Sequence, residues 1–294
     1  MASLPQGKHK PNPRLRAALS HEAGEHDASP MNLEVKPGPP LLDMTRESVT
    51  IAEPDRSELT PMPASPLHPF AIDLWLADGR EAEVAGFRYP TRMAVIRLAG
   101  GGLLIWSPVA LTDPLRQAID ALGEVRGLVA PNTLHDLFLA EWRAAYPSAP
   151  LHAAPGFAAR RNDLAPIAEL GEAVPLEWAA DIDLVVVHGN RITTEVVLFH
   201  RPSATVLFTD LIQQFPRDWF RGWRALVARL DLMSEPEPTV PRKFRMAFTD
   251  RSAARAALQR IQAWPSEKVV MAHGTPVERE GAACIGRAFK WLTG

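Results

Sequence analysis

The sequence predicts an α/β chain of the α+β kind, with two layers of β-sheet and helices outside them rather than a doubly wound sheet. Three observations carry this. Short apolar runs begin at Phe70 and come first as hairpins, strands and helices then alternate, and the later strands are rich in branched side chains. With 294 residues, 46% of them apolar, the chain is long enough to bury a sizeable core.

Residues 1–66 stand apart from this pattern. They hold eleven of the 28 prolines and no aromatic residue, so they lack the large apolar groups that offset ordering entropy. A disordered tail is expected there, and the folded domain over residues 67–294. Inside the tail, Arg14 to Leu19 predicts a helical turn. Val49 to Ile51 predicts a short strand between the proline clusters at Pro37-Gly38-Pro39-Pro40 and Pro61 to Pro66.

In the domain, Ala71 to Leu76 reads as a strand ending at Asp78-Gly79, a strong turn dipeptide, with Glu81 to Phe87 returning beside it. Met93 to Leu98 and Leu103 to Trp106 flank Ala99-Gly100-Gly101-Gly102 and predict a second hairpin. That glycine run lacks the lysine-serine pair and the immediate helix of a phosphate loop. Thr112-Asp113-Pro114 is a helix start, and Leu115, Ile119 and Leu122 form one apolar face before Gly123. Gly127 to Ala130 predicts a buried strand and Leu134 to Ala145 a helix. Strands follow over Asp183 to Val187, Glu195 to Phe199 and Val206 to Thr209, helices over Asp218 to Leu230 and Arg251 to Ala263. A strand at Val269 to Ala272 and a helix at Gly281 to Leu292 close the chain. Trp219 and Trp223, four apart, share a helix face and are expected to pack inward.

Composition narrows the function. A net charge of −2 supplies no broad basic field, so nucleic acid is not an expected partner even though Arg217, Arg221 and Arg224 share a face. There is no apolar run of 18 residues and no secretory signal, so no membrane partner is expected. The single cysteine, Cys284, excludes an intramolecular disulfide and any site needing two thiolates from this chain, and a cytoplasmic location follows. A small-molecule substrate or ligand is the expected partner, and the pattern specifies no oligomeric state.

Histidines at strand ends are the chemical signal. His9, His21 and His26 fall in the tail. His188 closes Asp-Leu-Val-Val-Val, His200 closes Val-Val-Leu-Phe, and His273 closes Val-Val-Met-Ala, while Asp210 follows Val-Leu-Phe-Thr. Strand ends converge on the edge where α/β enzymes build their sites. A carboxylate closing a buried strand costs several kcal/mol or more unless it is paired or ligates a cation; Arg191 and Arg201 are the alternative counter-charges. Glu195, inside an otherwise apolar strand, either faces outward or orients a histidine ligand.

A strand leading into Ala130-Pro131-Asn132-Thr133-Leu134-His135-Asp136, a later one ending in Thr209-Asp210, and a last one ending in Ala272-His273-Gly274 resemble, in that order, the metallo-β-lactamase superfamily. The resemblance implies a four-layer αββα sandwich, in which a His-x-His-x-Asp-His loop, a bridging aspartate and a final histidine-glycine hold metal. More narrowly, Ile105-Trp106-Ser107-Pro108-Val109, the Ala-Pro-Asn-x-x-His step and Ser203 to Asp210 resemble an uncharacterised bacterial family of that superfamily, known as a domain of unknown function. The resemblance covers Met93 to Leu292.

This chain departs from the superfamily motif. With Asp136 at the motif's aspartate, Asn132, Leu134 and Leu137 stand where the histidines belong; with His135 at the second histidine, Thr133, Leu137 and Phe138 take the other positions. Either register keeps one ligand of four, which does not support two zinc ions. The resemblance then implies a degenerate, at most mononuclear site. His135 or Asp136 would act with Asp210 and His273, helped by His188 or His200, holding one divalent zinc, iron or manganese ion. Asp136 would orient or deprotonate a water, and Asn132 would donate to a developing oxyanion or cap the following helix. The implied activity is metal-dependent hydrolysis; the alternative is a retained fold that binds a ligand or partner without catalysis.

Overall fold

Every side chain of Leu103–Trp106 is buried, and alternate residues enter different cores: Leu103 and Ile105 one, Leu104 and Trp106 another. In Ile182–Val187, Leu184 and Val186 join that second core, while Val185 and Val187 enter a third. A strand covered on both faces requires this period of two. The second core lies between two sheets and the other two lie under helices, so the layers run helix, sheet, sheet, helix, as expected.

A computed structural model describes residues 50–51, 66–234 and 236–293. The expected tail and its helical turn lie outside them, except that Thr50–Ile51 of the expected short strand is present. The first sheet contains β1 (Thr50–Ile51), β2 (His68–Ala71), β3 (Leu74–Val84), β4 (Phe87–Arg97), β5 (Leu103–Trp106), β6 (Val125–Ala130), β7 (Leu151–Ala153) and β8 (Ile167–Glu169). Its order is β1-β3-β4-β5-β6-β7-β8, with β2 also on β3. β3, β4 and β5 are antiparallel, whereas β5 to β8 run parallel. The second sheet has the order β12-β11-β10-β9, from β9 (Ile182–Val187), β10 (Glu195–His200), β11 (Thr205–Phe208) and β12 (Lys268–Met271). Only its β11–β12 pair is parallel.

Helices α1 (Asp113–Leu122), α2 (Leu139–Ala145) and α3 (Phe157–Arg160) accompany the first sheet. α4 (Trp223–Leu230) precedes α5 (Arg242–Ala247), α6 (Arg251–Gln262), α7 (Gly281–Ala288) and α8 (Lys290–Thr293), the last four of which cover the second sheet. Thr112 caps α1 by accepting from the Leu115 amide at 3.4 Å. Leu115 and Ile119 bury its apolar face, each stabilising by roughly 1.5–3 kcal/mol. No helix among the described residues is long and apolar enough to cross a membrane.

Several expected boundaries moved. The first hairpin turns at Ala85-Gly86, both at positive φ (51° and 77°), which suits a tight turn between twisted strands. Asp78-Gly79 instead lies inside β3, where a Cβ on Gly79 would stand 2.3 Å from Thr91 Oγ1 and 2.7 Å from Val109, so the glycine serves close packing. The register slips between Gly79 and Ala82, opposite Pro90, which has no amide to contribute to a regular ladder. The helix expected from Leu134 begins only at Leu139, because the Asn132 side chain holds the Leu134 and His135 amides in a turn. The helix expected from Asp218 begins at Trp223, and the last helix breaks at Phe289.

Candidate metal centre

Strand direction selects which ends meet. β11 and β12 are parallel, so Asp210 and His273, each two residues past its strand, emerge on one edge of the second sheet. The loop after β6 brings His135 from the first sheet. Ligand atoms of His135, Asp210 and His273 all lie within 4.8 Å of one another. Nε2 of His135 is 3.2 Å from Asp210 Oδ2, Nε2 of His273 is 3.5 Å from Oδ1, and the three side chains are nearly buried.

The far side of each imidazole is anchored. His273 Nδ1 stands 2.7 Å from the Pro90 carbonyl; a carbonyl only accepts, so that nitrogen carries a proton and Nε2 faces the cluster. The Pro90 carbonyl projects from the irregular stretch of β4. His135 Nδ1 is 2.8 Å from Ser107 Oγ, on a residue held at φ 53° just past β5. Arg92 donates to the carbonyls of Met271 and Gly274 and pairs with Asp78, clamping the end of β12 to the first sheet.

Asp210 is held by further groups. Asn132 Nδ2 donates to Asp210 Oδ2 at 2.7 Å and to Thr209 Oγ1 at 2.8 Å, and Gln213 Nε2 donates to Oδ1 at 3.2 Å. The Glu195 carboxylate, fully buried at the start of β10, accepts from the amides of Thr209, Asp210 and Leu211 at 2.8, 2.9 and 3.1 Å. Burial pushes the Asp210 carboxyl up, but hydrogen bonds and charge from His135 and His273 outweigh it and hold the group well below the usual carboxylate range. Burial and the adjacent Asp210 push Glu195 the other way, against the pull of the amides it accepts.

The cluster opens into a cavity of about 160 Å³ whose walls are mostly apolar, among them Leu134, Leu137, Phe138, Ile192 and Phe244. Lys243 and Tyr89 also line it, with Nζ 2.9 Å from the tyrosine hydroxyl and 3.6 Å from Asp231. Burial pulls the Lys243 ammonium down, but Tyr89 and Asp231 outweigh that and keep it charged.

The structure therefore brings together three of the five expected ligands. His200 is a correction: β10 runs antiparallel to β11, so its C-terminal end lies on the opposite edge, where His200 bonds Ser203 Oγ at 2.7 Å inside the core. His188 does emerge on the correct edge, but from β9, two strands from β11, and it is exposed beside Glu172. Asp136 lines the cavity with its carboxylate 3.0 Å from Arg161 rather than within the cluster. The Asn132 amide is committed to Thr209 and Asp210, and its carbonyl closes a local turn rather than capping the following helix, which starts at Leu139 behind Phe138 with no side-chain cap. Arg201 pairs with Asp183, leaving the histidines as the partners of Asp210. Glu195 orients the aspartate's backbone and not a histidine. Sequence reasoning did not single out Ser107, Tyr89, Gln213 or Lys243. Pro90 within a strand was the one available signal, since a proline there marks an irregular register with free backbone groups.

The two sheets, their helix layers and a His/Asp/His cluster between them define a protein of the metallo-β-lactamase fold. A metallo-β-lactamase from Pontibacter korlensis aligns with a TM-score of 0.50 at 11% identity, covering 76% of this chain and 98% of that one. FIM-1 from Pseudomonas aeruginosa, in a mono-zinc form, aligns at 0.51 and 14%, covering 78% and 96%. The metal-soaked Flv1 flavodiiron core from Synechocystis sp. PCC6803 aligns at 0.52 and 14%, covering 77% and 60%. No curated protein matches in sequence. The family described as Domain of unknown function (DUF4336) matches residues 73–221, just over half of the chain, and the chain belongs to that family.

Proposed function

We propose that the protein is a metal-dependent hydrolase holding one divalent cation, zinc, iron or manganese, on His135, Asp210 and His273. The observation that carries this is the aim of the imidazoles. Each Nδ1 is anchored, by the Pro90 carbonyl or Ser107 Oγ, so that each Nε2 faces a carboxylate oxygen. With Nδ1 committed to the Pro90 carbonyl, Nε2 of His273 is left facing Asp210 Oδ1 at 3.5 Å, close enough for both atoms to bind one cation. The donor set of two imidazoles and one carboxylate fits such an ion. FIM-1, a protein of this fold, is described with a single zinc.

When bound, the cation lowers the pKa of a water molecule and polarises a carbonyl or phosphoryl oxygen, the requirement for hydrolysing an ester, thioester, amide or phosphodiester. The chain's own residues do the rest. The apolar walls exclude bulk water and seat the apolar part of a substrate, Lys243 offers a fixed positive charge to an anionic part, and Asp136 orients a water molecule. Elemental analysis of protein purified without chelator or a histidine tag tests the reading. Close to one equivalent of metal is expected, lost in both His273→Ala and Asp210→Ala. No stoichiometric metal, with both variants folded like the parent, overturns it in favour of a non-catalytic binding protein.

A further inference from the structure

Helix α4 is built inside out. Trp223, Leu226, Val227 and Leu230 occupy positions i, i+3, i+4 and i+7, within about 100° of arc, and should form the buried stripe of an amphipathic helix. Instead they are 59%, 59%, 40% and 57% exposed, while Ala228, on the opposite side, is buried. Trp223 was expected to pack inward, whereas its neighbour Trp219 does so against Phe215. Arg224 and Arg229 flank the stripe on either side, with Arg221 and Arg217 just before it. Among the described residues Arg217, Arg221 and Arg229 have no ion-pair partner and all are exposed. Of the two acids in this segment, Asp231 turns inward to Lys243 and only Asp218 dilutes the positive charge.

We infer that α4 is a docking surface for an anionic lipid bilayer. The charge selects the occupant. A second copy packed on the stripe about a two-fold axis would set arginines against arginines, whereas acidic headgroups complement them. The stripe is exposed along the whole helix, with tryptophan at one end and arginines along its sides, as an interfacial helix requires. The absence of a spanning helix, on which the expectation of no membrane partner rested, does not bear on such contact. The surface adjoins the cavity. Arg224 donates to the Gly86 carbonyl at 2.6 Å and Trp223 packs edge-on to Phe87 at 5.6 Å, in the hairpin whose Ala82, Val84 and Tyr89 line the cavity wall. Docking through α4 sets that wall at the bilayer, whether or not the cavity holds metal.

Co-sedimentation of the full chain with vesicles tests this. Pelleting is expected with equal parts phosphatidylglycerol and phosphatidylcholine and not with phosphatidylcholine alone. Leu226→Glu should abolish it, Arg229→Gln should weaken it roughly fivefold, and Met246→Glu, an apolar residue exposed elsewhere, should leave it unchanged. Unaltered circular dichroism and melting in each variant separates lost binding from lost folding. No pelleting with anionic vesicles, pelleting that survives Leu226→Glu, or equal loss in Met246→Glu overturns the inference.

Discussion

Asn132 assembles a site that it does not ligate. Its carbonyl holds the turn carrying His135, and its amide donates to Asp210, so one buried side chain sets the distance between two ligands from different sheets. Asn132→Ala should weaken zinc binding about 10–100-fold and cost roughly 1–3 kcal/mol by leaving buried groups unpaired. A metal titration with an unchanged midpoint would remove Asn132 from this role. His200 and His152 show the opposite case, histidines that are core residues. Burial lowers both from the ordinary value near 6.5, against the weaker pull of acidic neighbours. Below about pH 6.5 the unfolded chain takes up protons that the fold refuses, so stability falls as pH drops through that range toward the lowered folded values. His200→Gln is expected to flatten the decline in urea midpoint between pH 7 and pH 5; an unchanged slope means that His200 charges freely in the fold.

At the scale of elements, the site depends on two irregularities, the slipped register that frees the Pro90 carbonyl and the turn after β12. A Cβ on Gly274 would lie 2.7 Å from the Gln214 carbonyl oxygen and 2.8 Å from Met271 Sδ. Gly274→Ala should therefore shift the His273 backbone, costing about 1–3 kcal/mol and reducing bound metal below one equivalent. Full metal content in that variant would show the turn to be adjustable. The same distinction separates what could be read in the sequence from what could not. β5, β9, β10, β11 and β12 were legible because branched, doubly buried strands leave continuous apolar runs, and α1 was legible from its cap, proline and spacing. β7 and β8 span three residues each, too few for a period to emerge, and Gly79 signalled a turn because sequence alone does not separate a glycine needed for φ from one needed for contact. His200 was placed with Asp210 because a strand's end can be read from its residues whereas its direction cannot.

Across the whole molecule, the cluster joins the two sheets. Asp210 and His273 belong to the second, His135 to the first, and the first also anchors His273 through Pro90. Strand ends made Asp210 and His273 readable, and the resemblance to the metallo-β-lactamase superfamily added His135 or Asp136, whereas Ser107, Lys243 and Tyr89 reach the cavity through packing that leaves no trace in spacing. A cation bound between the sheets resists their separation, so it stabilises the fold by mass action. With zinc at a hundredfold excess over its dissociation constant the gain is about 2.7 kcal/mol, or roughly 5–10 °C in thermal midpoint for a domain of this size. Bound zinc should reach one equivalent and go no further, since Asn132, Leu134 and Leu137 supply no second set of ligands, while the thermal gain itself keeps rising with the logarithm of free zinc. Asp210→Ala should melt at one temperature with or without zinc, while Leu226→Glu, on the surface of α4, should keep the full shift. A shift that persists in Asp210→Ala would locate the stabilising metal elsewhere on the chain, and a bound content above one equivalent would require ligands beyond His135, Asp210 and His273.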